Sequence, residues 1–243
     1  RSLPGAGSLL IDACAAGPGR QAATALSPGR FRLALLLLWL ASLTLLLIGL
    51  AGPTLLDWDE GIVARVALEL SQKPWSERLW PTYWGEPYLN KPPGLHLLVA
   101  VAIDVWRALA GKASAALPPT WLLRLVPALI SSLLPPLLSL VQLQLRPGQR
   151  LNALLSGAIA MTLLPLLRHG HLLMLDGCQL VAMVLIWWAL LAVGPESAGS
   201  SRLSRGHSLR HALARGLVAG LATSALLLLK APAALPLLVG PWL

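Results

Sequence analysis

A polar stretch, 57–93, holds two groups of residues whose types could do chemistry. The acidic pair Asp59-Glu60 stands near its start, and Lys91-Pro92-Pro93 ends it. A positioned carboxylate can take a proton from a reacting hydroxyl, and a lysine on a rigid backbone can offer positive charge to a phosphate. The stretch therefore predicts an acid–base group and an anion-binding group within one loop.

Both groups also have a plainer interpretation that the sequence leaves open. Asp57 with Glu60 three residues later forms the pattern of a capping box, in which acids stabilise the start of a helix. Lys91 could be an interfacial lysine whose charged end reaches the headgroups. Either reading makes these residues structural rather than catalytic.

The residues after the acidic pair predict an amphipathic helix. Ile62, Val66 and Leu70 recur every four residues, while Arg65 and Glu69 fall elsewhere on the helical wheel. One apolar stripe on an otherwise polar helix is typical of a helix lying in the membrane interface. Such a helix would hold the acidic pair against the mouth of a helix bundle.

Two further charges lie in apolar runs, Asp176 and Lys230. An ionisable residue within a membrane span costs roughly 2.5–3.5 kcal/mol on insertion scales, so each is a candidate functional residue. The alternatives are a structural pair or a position nearer the headgroups than the run suggests. Asp104 and Arg107 are three residues apart, and we expect them to satisfy each other.

The composition excludes a soluble globular protein. Of 243 residues, 56% are hydrophobic and 12% are charged, with a mean hydropathy of +0.70. The apolar runs are continuous rather than alternating, and several reach the roughly twenty residues that cross a bilayer as a helix. We therefore predict an all-α fold, a polytopic transmembrane helical bundle whose extracytoplasmic first loop holds the in-plane amphipathic helix.

The net charge of +9 fits cytoplasmic loops and anionic headgroups better than nucleic acid. Arg30 and Arg32 precede the first apolar run, which places the N-terminus in the cytoplasm and the 57–93 loop outside. The expected location is the plasma (inner) membrane. Cys14 and Cys178 are too far apart in sequence to indicate a disulfide framework.

The chain divides into a disordered tail, 1–30, and a transmembrane module, 31–243. We expect it to be the N-terminal part of a longer protein, with a C-terminal remainder missing, because it starts without Met and stops inside an apolar run. The predicted spans are 31–52, 94–110, 121–145, 151–168, 172–193 and 213–229, with another after Lys230.

The orientation conflicts with this number of spans. An arginine-rich link, 194–215, should be cytoplasmic, so an odd number of crossings must separate it from the 57–93 loop. Four apolar runs lie between the two. Either 121–145, which contains Pro135-Pro136, or 94–110 does not cross fully, and Asp176 is extracytoplasmic under both alternatives.

The motifs in order resemble the N-terminal module of the C-type integral-membrane glycosyltransferases, in particular protein mannosyltransferases and lipid A aminoarabinose transferases. The resemblance covers about 30–243. It rests on several short motifs in family order: Asp59-Glu60, Glu69, Gly85, Pro87, Tyr88, Lys91-Pro92-Pro93, Asp176, Gly216, Gly220 and Lys230-Ala231-Pro232.

The resemblance implies transfer of a sugar from a polyprenyl-phosphate donor to an acceptor hydroxyl, with inversion, at the extracytoplasmic face. It implies Asp59 as the catalytic base, assisted by Glu60, which together could also hold a divalent cation. Lys91 and, less directly, Arg65 would bind the donor phosphate. Behind these, the resemblance implies a supporting layer formed by Asp176, Tyr88 and Lys230. The implied partners are the donor, membrane lipids and an acceptor protein or glycolipid, and no nucleic acid.

Two other functions remain open on the sequence. A transporter or lipid flippase could use Asp176 and Lys230 as a buried ion relay. A catalytically silent transferase homologue is the other, because Ile62, Val63 and His171 stand where family members often have other residues.

Overall fold

The computed structural model describes residues 26–52, 54–55, 58–113, 115–191 and 202–239, with side chains omitted for 202–208 and 231–239. The described part of the chain is almost entirely helical. Its helices are α1 (Pro28–Leu47), α2 (Asp59–Gln72), α3 (Gly94–Ala110), α4 (Thr120–Ser131), α5 (Leu134–Leu145), α6 (Arg150–Thr162), α7 (Leu164–His169), α8 (Leu175–Leu191) and α9 (Arg202–Val239). A short hairpin, β1 (Thr82–Tyr83) and β2 (Glu86–Pro87), lies between α2 and α3.

Helix α1 begins three residues earlier and ends five residues earlier than its apolar run predicts. Ser27 caps it by accepting a hydrogen bond from the N–H of Arg30, and Pro28 suits the first turn because it has no N–H to satisfy. After Leu47 the chain turns, with Gly49 at φ +83°. Of the predicted disordered tail, 1–30, residues 1–25 lie outside the described residues, whereas 28–30 already belong to α1.

The run 121–145 is broken but continuous in direction. Pro135-Pro136 sits in the first turn of α5, where proline is tolerated, and the turn at 132–133 separates α5 from α4. The two helices together make a 26-residue candidate span, Thr120–Leu145. A similar break at Leu163, two residues before Pro165, divides α6 from α7.

Three stretches of the described residues are long and apolar enough to cross a membrane: Pro28–Leu47, Thr120–Leu145 and Leu209–Lys230. A shorter apolar helix, Leu175–Leu191, accompanies them. These lengths agree with the expectation of a helical membrane protein, since about twenty residues cross the hydrocarbon layer.

Helices α8 and α9 are antiparallel neighbours. Lys230 meets Asp176 at the first turn of α8, and at the other end the Arg215 guanidinium lies over the Trp188 ring. Lys230 itself has non-helical angles (φ −161°, ψ 72°), so α9 is two helical pieces joined there. Helical structure therefore follows Lys230 as far as Val239, in the region where the sequence predicts a further span.

We use the name cap for α2, the hairpin and α3, which lie together at one end of the bundle. Helices α2 and α3 run side by side in the same direction. Val63 and Leu95 share one buried cluster near their starts, and Arg107 donates to the Ser71 hydroxyl near their ends, at 2.9 Å. The amphipathic helix predicted after Asp59-Glu60 is therefore present, and α3 accompanies it along its length.

The expected pairing of Asp104 with Arg107 is wrong. Asp104 instead accepts a hydrogen bond from Arg78 in the loop after α2, at 2.5 Å. Arg107 donates to the Ala116 carbonyl as well as to Ser71. Both charges thus fasten α3 to other segments of the chain. Each one pairs with a group that the fold brings close rather than with the charge three residues away on the same helix.

Arg150 marks the opposite end of the bundle, which we call the basic end. Its guanidinium donates to the Leu26 carbonyl at 2.8 Å, so the starts of α6 and α1 meet there. The last residues of α5 and α8 also lie at the basic end, since Leu145 and Leu191 line one cavity. The predicted link 194–215 falls partly outside the described residues, and α9 already begins at Arg202.

Candidate functional site

A cavity of about 170 Å³ lies between the cap and the ends of α8 and α9. It is lined by Asp59, Val63, Lys91, Met174, Leu175, Asp176 and Lys230. Four of these are charged residues that the sequence singles out from separate parts of the chain. The fold brings them together around one space, which makes this cavity the candidate site.

Asp59 and Lys91 form the cap side of the cavity. Asp59 is the first residue of α2 and its side chain is 56% exposed. Lys91 lies just before α3, on backbone restricted by the two prolines that follow. Its ammonium nitrogen is 4.0 Å from Asp59 Oδ1, an open contact that leaves both groups able to meet a ligand.

Asp176 and Lys230 form the bundle side. Asp176 is in the first turn of α8, and Lys230 leaves the regular helix two residues before Pro232, whose ring disrupts a continuous α-helix. The two charged atoms are 3.5 Å apart, with side chains 46% and 43% exposed. The pair is therefore partly exposed at the cavity, at the first turn of α8 and at the end of the candidate span Leu209–Lys230.

The cavity holds two lysines and two aspartates. Each lysine faces one aspartate across a loose contact, so ammonium and carboxylate groups both remain able to meet a ligand in the cavity. In a space partly shielded from water such charges act more strongly than at the surface. The arrangement can bind an anionic group and accept a proton beside it.

Glu60 points away from this cavity and is fully buried. Its carboxylate accepts hydrogen bonds from Nε and Nη2 of Arg124, both at 2.8 Å, and from the N–H of Leu173 at 2.8 Å. These contacts join the start of α2 to α4 and to the loop before α8. The structure thus gives Glu60 a positioning role beside Asp59.

The capping box that the sequence offers as an alternative involves Asp57, which lies outside the described residues. The N-cap residue of α2 is Trp58, which makes no side-chain cap hydrogen bond. Arg124 is a functional neighbour that the motifs alone miss; the signal for it is an arginine near the start of an apolar helix, which indicates a buried acid elsewhere.

Arg65, the second residue expected to bind phosphate, lies on another face of α2. Its Nε donates to Glu69 at 2.6 Å, and its guanidinium stacks 3.8 Å from the Trp84 ring centre. Glu69 also accepts from the N–H groups of Trp84 and Gly85. Arg65 therefore helps to hold the hairpin and does not line the cavity.

Glu69 organises the hairpin turn. Trp84 and Gly85 both have positive φ, +55° and +84°, as a two-residue hairpin turn requires. Burial alone would raise the pKa of Glu69, but hydrogen bonds from Thr82, Arg65, Gly85 and Trp84 outweigh it and lower that pKa. The ionised carboxylate thus stabilises the turn that leads back toward Lys91.

Tyr88 is buried and packs edge-on against His96, with ring centres 5.7 Å apart. It lies behind the Lys91 segment rather than in the cavity lining, which fits the supporting role expected for it. Burial, with a smaller contribution from the charge of Lys91, lowers the pKa of His96 to about 4 against the opposing effect of a backbone hydrogen bond with Pro92, so the imidazole is neutral at physiological pH. The uncharged side chains of Tyr88 and His96 therefore pack behind the segment that contains Lys91.

A second cavity, apolar and about 410 Å³, adjoins the charged one. On α9, Lys230 lines the charged cavity, and the two residues before it, Leu229 and Leu228, line the apolar cavity. On α8, Asp176 lines the charged cavity, and Cys178 lines the apolar one. The apolar lining comes from four helices: Gly94, Leu97, Leu98, Ile130, Cys178, Val181, Ala182, Leu185, Ala222, Ala225, Leu228 and Leu229. The two spaces suit a molecule with a charged head and an apolar tail.

Asp59 lines the charged cavity, whereas the Glu60 carboxylate is buried against Arg124. No group of three or more His, Cys, Asp or Glu side chains suited to a metal occurs within the described ranges. No family model matches the chain, and its comparison with curated proteins and with solved structures gives no match.

Proposed function

We propose that the chain is part of a membrane glycosyltransferase of the C-type class, using a polyprenyl-phosphate sugar as donor. The observation behind the proposal is the charged cavity of Asp59, Lys91, Asp176 and Lys230 with the apolar cavity directly beside it. Only a substrate that joins an anionic head to a long apolar tail makes use of both. The sequence resemblance to protein mannosyltransferases and aminoarabinose transferases points to the same chemistry.

The path of α3 favours an extracytoplasmic site. The packing of α3 beside α2 from Gly94 to Arg107 supports the interpretation that α3 is the run that does not cross. Three crossings then remain between the cap and the arginine-rich link: α4 with α5, α6 with α7, and α8 alone. An odd number satisfies the positive-inside rule, with the cavity outside and the basic end in the cytoplasm.

The proposed reaction is a single displacement at the anomeric carbon. The acceptor hydroxyl oxygen forms a bond to that carbon as the bond to the phosphate oxygen breaks, which inverts the configuration. Asp59 takes the hydroxyl proton, a contribution of about 10²–10⁴-fold. The electron pair leaves with the lipid phosphate, whose charge Lys91 and Lys230 stabilise.

The remaining residues position these groups. Glu60 and Arg124 fix the start of α2 and with it the direction of the Asp59 side chain. The lipid chain of the donor occupies the apolar cavity between α3, α8 and α9. Asp176 restrains Lys230 at 3.5 Å, so that its ammonium group stays at the mouth.

Substitution of the proposed base tests this function. In membranes containing the full-length protein, Asp59→Asn should abolish transfer from a panel of polyprenyl-phosphate sugars while membrane insertion stays normal. Glu77→Gln, which changes an exposed acid elsewhere in the cap, is the matched control and should keep wild-type rates. Wild-type transfer by Asp59→Asn would refute the assignment of the base.

A further inference from the structure

The basic end of the bundle contains a third cavity, between α5, α6 and α8. Its volume is about 450 Å³, and the lining is apolar apart from Gln142, Ser156 and the Trp187 indole. The site proposed above does not use this cavity, because it lies at the opposite end of α8 from Asp176. Its size falls in the range of ligand pockets, about 300–1,000 Å³.

Acidic residues are confined to one end of the described structure. The seven acidic residues that it describes all lie in the cap or at the charged cavity: Asp59, Glu60, Glu69, Glu77, Glu86, Asp104 and Asp176. The basic end has arginines without any described acid beside them: Arg30, Arg32, Arg146, Arg150, Arg210 and Arg215. Among the described residues of this end, a ligand therefore meets arginines and no acid.

Two buried donors at this end have no hydrogen-bond partner among the described residues. They are the indole N–H of Trp187, which belongs to the cavity lining, and Nη1 of Arg215. Arg215 lies 4.9 Å over the ring of Trp188, the neighbour of Trp187. Buried donors are normally satisfied, so both positions favour an acceptor oxygen supplied from outside the chain.

We propose that this cavity binds an anionic glycerophospholipid of the leaflet facing the basic end. An acyl chain lies against Leu138, Val141 and Leu191, and the Trp187 N–H donates to an oxygen of the lipid glycerol ester region. The headgroup phosphate lies at the rim near Arg146, the residue after the lining Leu145. Basic pockets between membrane helices bind such headgroups through this combination of charge and apolar surface.

Lipid binding to the delipidated full-length protein in mild detergent tests the site. Phosphatidylglycerol should bind saturably with one-to-one stoichiometry by native mass spectrometry, and phosphatidylcholine with the same acyl chains should bind at least about fivefold more weakly. Added salt should reduce this difference, because screening weakens the headgroup contacts. Equal binding of the two lipids would overturn the proposal.

Two variants separate the headgroup and ester contacts. Arg146→Gln and Trp187→Phe should each weaken phosphatidylglycerol binding by about fivefold, through a lost charge and a lost hydrogen bond respectively. Lys112→Gln, an exposed lysine in the cap region, is the control and should bind as wild type. Wild-type binding by both test variants, or occupation of the cavity by a second copy of the chain in cross-linking, would overturn the proposal.

Discussion

Removal of either partner of the Glu60–Arg124 pair should destabilise the protein strongly. The Glu60 side chain is fully buried and that of Arg124 is 3% exposed, with two hydrogen bonds of 2.8 Å between them. Breaking a buried ion pair on one side costs about 3–5 kcal/mol, because the other charge stays in the interior. At about 2–4 °C per kcal/mol for a chain of this length, the melting temperature of Glu60→Gln or Arg124→Gln should fall by roughly 10 °C.

The double variant Glu60→Gln/Arg124→Gln distinguishes a pair from two independent contacts. It removes both buried charges, so its loss should be at least about 2 kcal/mol smaller than the sum of the single losses. Thermal unfolding of the purified protein in detergent gives all three values. Arg32→Gln, an exposed arginine at the start of α1, serves as the control. Single losses no larger than that of Arg32→Gln, or strictly additive losses, would refute the reasoning.

Three further predictions concern the cap. Glu69 has a folded pKa below its usual value of 4.5, so its stabilising effect is present above that pH and is lost as pH falls further. Glu69→Gln should flatten this acid loss in melting curves. The pKa of His96, lowered from 6.5 to about 4, implies that about 3 kcal/mol of stability is lost between pH 7 and pH 4, and His96→Phe should remove that slope. A Cβ at Gly94 would lie 2.6 Å from the Leu228 carbonyl oxygen, so Gly94→Ala should cost about 1–3 kcal/mol of unfolding free energy while Gly111→Asn, at an open position with φ +60°, should cost less.

Length and continuity of the apolar runs predict the helices well, because a bilayer imposes one length on every crossing segment. The first and last residues of the helices were less predictable. Helix α8 begins at Leu175 rather than near 172, since the loop before it supplies the Leu173 N–H to Glu60. The apolar composition of that loop gives no sign of this contact.

The tertiary contacts of the run 94–110 could not be predicted from the sequence. The run 94–110 has the composition of a span, but Arg107 and Asp104 fasten its helix to Ser71 and Arg78 of the cap. Both partners lie more than twenty residues earlier in the chain. Contacts of that kind depend on the tertiary fold, so no local sequence pattern predicts them.

Four of the seven predicted site residues line the charged cavity: Asp59, Lys91, Asp176 and Lys230. Their types and positions in apolar or rigid surroundings were enough to select them. Glu60, Arg65 and Tyr88 do not line the cavity, and their contacts stabilise the cap beside it. A buried carboxylate and an exposed one look alike in sequence, so only the fold separates Glu60 from Asp59.

The most direct test of the proposed donor site uses polyprenyl phosphate with a photoreactive group on its first isoprene unit. Cross-linking in membranes should label α8 and α9 near Cys178 and Leu228, with competition by unlabelled polyprenyl phosphate. The double variant Lys91→Gln/Lys230→Gln should lose most of this labelling, while Lys112→Gln should keep it. Labelling confined to other helices, or unchanged in the double variant, would contradict the claim that these two cavities hold a lipid phosphate.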